Sequence, residues 1–283
     1  MITKNNPVPF YVIETKKKWK LIDLRELFKY KDLLYFFVLR DITVLYKQTV
    51  LGLSWAIMNP VFSMVVFSFF FGGLAKIPSD GIPYPIFSYC AVLPWTYFSQ
   101  SLGGATNSLV SSAGIFTKVY FPRILIPFTP IISKLFDFFI AFIILIILML
   151  IYNIYPNTNI IFLPLLILLM VLSASGIGMW LSSLAIQYRD VRFAISPLIS
   201  LLMYAAPVVF PASLVQEKFG NFIYNLYGIY PMVGVIEGFR SSLLGHRPMP
   251  WDLIGIGTVS SIIIFIIGAL HFRKTEKIFA DVA

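Results

Sequence analysis

From 128 to 152 the chain reads FTPIISKLFDFFIAFIILIILMLIY, and its last fifteen residues carry no charge at all. A run of roughly 18 or more apolar residues is long enough to cross the hydrocarbon core of a bilayer. Inside lipid every backbone N–H and C=O must be satisfied within the protein, so such a run is a helix. Several other runs of this kind recur along the 283 residues. Composition agrees: 12% of residues are charged, against about 25% in a soluble domain, and the mean hydropathy is +0.84. The expected fold class is an all-α integral membrane protein.

Six transmembrane helices are expected, at about 53–74, 84–112, 128–152, 160–186, 193–210 and 253–272. An even number puts both termini on one side. With this threading, eighteen of the 22 Lys and Arg fall on the side of the termini and four, Lys76, Lys218, Arg240 and Arg247, on the other. Cytoplasmic loops carry the cationic excess, so the termini and the 118–123 connection are expected in the cytoplasm. The net charge of +9 is read the same way, as a membrane bias rather than a nucleic-acid footprint. The first twenty residues lack an apolar core of signal-peptide length, so no cleaved signal is expected.

Two segments depart from a plain bundle. In 19–47, Leu21, Leu24 and Phe28 recur at helical spacing among charges, which predicts an N-terminal amphipathic interfacial helix, or one packed on a soluble subunit. The segment 211–250 is external by parity, semi-apolar, and interrupted by Gly, Pro and charge. It reads as short re-entrant or periplasmic helices between the fifth and sixth spans, or as a folded external loop. The chain divides accordingly into a cytoplasmic N-terminal segment, 1–52, and a transmembrane domain, 53–283, with a cytoplasmic coupling element at about 114–127.

Catalytic equipment is sparse. There is no phosphate-loop pattern for ATP and no nucleophile elbow; the two histidines, His246 and His271, lie at opposite ends of the last span, and the one cysteine, Cys90, precludes an intramolecular disulfide. No catalytic and no metal residues are assigned. Lys134 and Asp137, three apart on one helix face, form an expected structural pair. Glu237 and Arg240 share that spacing and either pair locally or act near an exit. The second span is unusually polar: Gly104 and Ser108 share one stripe, Asn107 the next, with Ser101 a turn before. The fourth span repeats the device with Ala174, Gly178 and Ser182. Small residues at this spacing pack helices closely; they also make a pore wall for a polar solute. The aromatics Trp95, Tyr97, Tyr204 and Phe210 read as an interfacial belt or as stacking surfaces for a glycan. These eight (Trp95, Tyr97, Ser101, Gly104, Asn107, Ser108, Tyr204 and Phe210) are the channel-lining candidates.

The stretch Lys118, Val119, Tyr120, Phe121, Pro122, Arg123 puts a proline-stiffened aromatic knob between two cations on the cytoplasmic side. By pattern it is either a surface loop with aromatic anchors or a contact for a partner. Resemblance shifts the balance between these. The chain resembles the membrane subunit of ABC-2 type polysaccharide exporters, the Wzm-like permeases of O-antigen, capsule and teichoic acid export. The likeness runs nearly end to end. It is carried by RDITVLYKQTVLGLSWAIMNP at 40–60, FFFGGLAKIPSDGIPYPIFSYCAVLPWTYFSQSL at 69–102, NSLVSSAGIFTKVYFPRILIP at 107–127, YRDVRFA at 188–194, APVVFP at 206–211 and YPMVGVIEGFRSSLLG at 230–245. Relatives often have Asn-Pro where this chain has Tyr230-Pro231.

The resemblance implies a homodimeric channel in a bacterial inner membrane, with two copies of a separate ATPase that carries the ATP and Mg; this chain would hold no cofactor. It implies that 118–123 is a coupling helix seated in that ATPase, and that the substrate is a polyprenyl-diphosphate-linked polysaccharide. Arg40, Lys47, Arg189 and Arg192 are candidates for the diphosphate or a lipid headgroup, though general contact with anionic lipid accounts for them almost as well. An ABC-2 exporter of another substrate (teichoic acid, capsule or a small molecule) is the alternative within the class. A membrane glycan enzyme would need an outer acid or metal cluster, and Asp80, Glu217, Glu237 and Asp252 are scattered in sequence. An ATP-independent channel is the third alternative.

Overall fold

The computed structural model describes residues 24–47, 52–116 and 118–279. These form eleven α-helices, and no strand occurs among the described residues. In order they are α1 (Leu24–Lys29), α2 (Lys31–Lys47), α3 (Ser54–Phe67), α4 (Tyr84–Ser111), α5 (Ala113–Phe116), α6 (Leu125–Ile151), α7 (Leu163–Gln187), α8 (Arg189–Ala205), α9 (Ala212–Tyr227), α10 (Pro231–Leu244) and α11 (Trp251–Thr275). α3 runs on as a π-helical stretch, Ser68–Leu74. A 3-10 turn, Thr158–Phe162, leads into α7, and another, Glu276–Ile278, closes α11.

Four of these units are long and apolar enough to cross a membrane: Ser54–Leu74, Leu125–Ile151, Thr158–Gln187 and Trp251–Ile278. They match the first, third, fourth and sixth expected spans to within a few residues. The second expected span is α4, whose 28 residues give a length of about 42 Å. It is less apolar because it is the central helix, packed on α3, α6, α7, α8 and α10. Residues walled in by protein need not satisfy lipid. The Thr106 hydroxyl donates to the Leu102 carbonyl (2.7 Å) and the Tyr89 hydroxyl to the Ala141 carbonyl of α6 (2.9 Å). The fifth expected span, 193–210, is displaced: α8 starts at Arg189 and stops at Ala205, and its 17 residues measure about 26 Å. It stops before Pro207, whose ring disfavours a helical residue ahead of it.

The long helices meet through small residues. A Cβ on Gly268 of α11 would lie 2.1 Å from the Gly176 carbonyl oxygen of α7. Nearby, Ser173 and Ser261 share a buried hydrogen bond of 2.8 Å between the same two helices. On α4, a Cβ at Gly104 would strike Pro130 of α6, and one at Gly178 of α7 would strike Ala105 of α4. At these two positions of the polar stripes, the small residue serves helix packing.

The segment 211–250 folds as two helices. α9 bends at Gly220, whose φ of 79° is open to glycine and strained for other residues. α10 is buried along nearly all its length against α4, α7 and α11. It ends on Gly245 in the left-handed conformation, the usual helix stop. The part of the expected interfacial helix before Leu24 lies outside the described residues. Within them, α2 turns Leu33, Leu34 and Phe37 inward and leaves Tyr35, Phe36 and Leu39 exposed.

Candidate functional site

Among the described residues, Lys31, Arg40 and Lys47 lie on α2, Lys118 and Arg123 on the 118–124 loop, and Arg273, Lys274 and Lys277 at the close of α11, three elements that meet through one apolar cluster; this is the basic end. The loop there has little secondary structure of its own. Pro122 fixes φ, the Lys118 and Val119 amides donate to the Ile115 carbonyl (3.1 Å each), and the Leu125 amide donates to the Pro122 carbonyl (3.1 Å). The loop's aromatics then part company. Tyr120 is 83% exposed and Val119 is exposed beside it, but Phe121 is 5% exposed. The Phe121 ring meets Phe37 of α2 edge-on at 5.6 Å and shares a cluster with Leu109, Phe272 and Phe279. The expected knob of Tyr120 and Phe121 is therefore corrected to Val119 and Tyr120. Phe121 is the rivet that holds the loop, because burying an aromatic side chain here stabilises it more than leaving it exposed. Lys118 is exposed. Arg123 turns back: its amide donates to the Glu276 carboxylate at 3.4 Å and its guanidinium to the Glu276 carbonyl.

Beside the loop, α2 crosses the foot of α6. Lys134 and Asp137 form their ion pair at 2.8 Å, and the Tyr46 hydroxyl of α2 donates to the other Asp137 oxygen. Burial, and then that hydrogen bond, raise the Tyr46 phenol above its ordinary range, so it stays a donor. Asp137 thus ties α2 to α6 as well as pairing locally. Tyr46→Phe is expected to cost about 1.5–3 kcal/mol, the worth of a hydrogen bond to a charged group. Limited proteolysis checks this: cleavage at Lys47 should run faster in the variant.

Between α2, α4 and α6 opens a cleft of ≈ 340 Å³ lined by Arg40, Asp41, Ser108, Ser111, Thr129 and Lys134, among others. Arg40 pairs with Asp41 at 2.8 Å and lies 5.2 Å from the Phe37 ring centroid. Of the four headgroup candidates only Arg40 lines this cleft. Lys47 is exposed at the end of α2, while Arg189, over the Phe193 ring at 6.0 Å, and Arg192 begin α8. α2 packs on α6, whereas α8 packs on α4 and α7, so the two cation pairs sit on different elements and different neighbours.

The channel-lining candidates also separate. Trp95, Tyr97 and Ser101 are enclosed by their own chain, and the Tyr97 hydroxyl donates to the Ile131 carbonyl at 3.0 Å. The Ser108 hydroxyl bonds back to Ala105 at 2.7 Å. Asn107 and Tyr204 are exposed, and Phe210 is half-buried.

At the opposite end the structure gathers groups that sequence spacing left apart. Arg240 is 5% exposed. It pairs with Glu237 at 2.8 Å, donates to the Val208 carbonyl at 2.9 Å, and stands 3.6 Å from the Phe87 ring centroid. Glu237 also accepts the Ala212 amide at 2.9 Å. A neighbouring ion pair, Arg247 to Asp80 at 3.0 Å, joins two loops, and Asp80 accepts the Ser213 hydroxyl at 3.2 Å. Both sets border a cleft of ≈ 180 Å³ that His246 and Tyr224 also line. The i,i+3 spacing announces the Glu237–Arg240 pair; nothing local announces its carbonyl partners or Asp80.

Comparison with known proteins bears on this architecture directly. The chain is 25% identical over 256 residues to the O-antigen export system permease protein RfbA of Myxococcus xanthus, covering 90% of this chain and 96% of that protein. Two Klebsiella pneumoniae proteins of the same name are 26% and 27% identical over 253 residues, each covering 89% of this chain and 95% of the relative. Residues 33–244 match the family of ABC-2 type transporters. That match takes in nearly all of α2, the riveted loop and the Glu237–Arg240 network, and the chain belongs to the ABC-2 type transporter family.

Proposed function

We propose that this chain is the channel-forming subunit of an ABC exporter that moves a polyprenyl-diphosphate-linked, O-antigen-like polysaccharide out of the cytoplasm. Two copies form the channel in a bacterial inner membrane. Two copies of a partner ATPase bind ATP and Mg and supply the energy; this chain is not itself the enzyme. The basic end is cytoplasmic, α3, α4, α6, α7, α8 and α11 are the six spans, and α9 with α10 re-enters from outside. What supports this most is the loop at the basic end: it shows Val119 and Tyr120 outward while Phe121 fastens it to α2 and α11. A loop built to receive a push needs an exposed contact on a rigid mount.

The homodimer reading draws on α8. It packs on α4 and α7 and leaves Phe193, Leu198, Leu201 and Tyr204 uncovered. The channel would run along this helix, with Tyr204 and Asn107 the wall residues still facing outward. The diphosphate would enter at the cleft under α2, where Arg40 and Lys134 supply charge.

Purifying the tagged chain from its native cells and identifying what comes with it tests the proposal. A phosphate-loop ATPase should co-purify in equal amount, and Tyr120→Ala with Val119→Ser should release it while the permease stays monodisperse. Absence of any ATPase under conditions that keep other complexes intact sinks the proposal. An ATPase whose rate responds to drug-like compounds, and not to lipid-linked glycan, moves it to the small-molecule branch of the family.

A further inference from the structure

We propose that the segment closing α11, Glu276 to Phe279, is part of the ATPase-coupling element, with Glu276 a positioning residue that carries movement of the 118–124 loop into α11. The proposal rests on the coupling role given to that loop above. The last carbonyls of any helix lack partners within it, and a cationic side chain at that end satisfies them and suits the helix dipole. Here the cation comes from a different element. The Arg123 guanidinium takes the Glu276 carbonyl at the close of α11, and the Glu276 carboxylate takes the Arg123 amide in return. The exchange is reciprocal, so neither segment can shift along the other without breaking both bonds.

A second fastening lies beneath. Phe279 is wholly buried against Phe272 of α11 at 5.3 Å, in the cluster that also holds Phe121. A push on Tyr120 therefore reaches two helices at once: α2 through Phe121 and Phe37, and α11 through Arg123 and Glu276. α11 cannot absorb the push locally, because Gly268 and Gly176 lock it to α7 at backbone contact. Movement at the loop is delivered to the α7–α11 pair as a unit.

The test uses the full chain in complex with its partner ATPase, followed by hydrogen-exchange mass spectrometry with and without a non-hydrolysable ATP analogue. In the native complex, peptides covering 116–127 and 268–279 should both change exchange on nucleotide binding. Glu276→Ala should leave the first response in place and shrink the second by about fivefold or more, the range of ordinary coupling between sites. Glu276→Gln, which keeps an acceptor for the Arg123 amide, should recover part of it. Phe279→Ala is the second probe should the alanine variant at 276 not assemble, and it too should blunt the 268–279 response selectively. An unchanged 268–279 response in these variants overturns the proposal. If Tyr120→Ala abolishes both responses in that case, the coupling role of the loop stands and only the latch is lost. If Tyr120→Ala changes neither response, the coupling role itself has failed and the latch falls with it.

Discussion

Arg240→Met is expected to lower stability by about 3–5 kcal/mol, the cost of leaving one partner of a buried ion pair alone. Methionine keeps an unbranched stem in place of the arginine stem and lacks the guanidinium, so the lost charge and its hydrogen bonds are the main cause. Glu237 would keep its charge with only the Ala212 amide to hold it, and the Val208 carbonyl would lose its donor. The Phe87 ring would lose the cation against its face. Glu237→Leu should cost a similar amount from the other side. The double variant Glu237→Leu/Arg240→Met should be milder than either single change, because no charge remains stranded in it. Thermal unfolding followed by size-exclusion chromatography in detergent gives the three values. A double variant as damaged as the sum of the singles would mean that the pair is not the unit described here.

The second large effect is expected at the α7–α11 contact. Gly268→Ala would set a methyl group 2.1 Å from the Gly176 carbonyl oxygen, and Gly176→Ala one 2.7 Å from the Phe265 backbone. Backbone cannot rotate away as a side chain can. The helices must separate, and overpacking of this kind costs about 1–3 kcal/mol or more. Separation also breaks the Ser173–Ser261 bond, so the effect should exceed that of Ser261→Ala, expected near 1 kcal/mol. The same chromatographic unfolding assay orders the three variants. Equal losses for Gly268→Ala and Ser261→Ala would show that the contact is looser than it stands.

How much of this was legible beforehand depends on where each residue's partner lies. The apolar spans are legible because lipid imposes a demand on every outward residue, and that demand is written residue by residue. The Lys134–Asp137 pair is legible because three residues make most of a helical turn. The direction of Phe121 is not. Tyr120 and Phe121 are adjacent aromatics of similar propensity, and only the arrival of Phe37 and Phe279 decides which turns inward. Trp95 and Tyr97 invite the reading of an interfacial belt or of stacking surfaces for a glycan because they are aromatics near the end of an expected span. They are enclosed instead, since α4 takes its partners from α6 and α7 rather than from solvent. α8 ends five residues before the expected span does for a related reason: Val208 to Phe210 are apolar, like a span, yet the Val208 and Phe210 carbonyls serve Arg240 thirty-two and thirty positions away.

The central position of α4 also bears on how the protein is made. A helix that is the least lipid-like of the long ones, yet packs on α3, α6, α7, α8 and α10, gains little from the bilayer alone. It is synthesised before α6, α7, α8 and α10, four of the five helices that surround it. Until α6 and α7 emerge from the ribosome, α4 has only α3 to lean on, and its serines and glycines face either the insertion machinery or lipid. On the six-span reading proposed above, membrane integration of this segment is a cooperative act of the nascent chain. A truncation ending at residue 116 would leave α4 without α6, α7, α8 and α10, even though every residue of α4 is present.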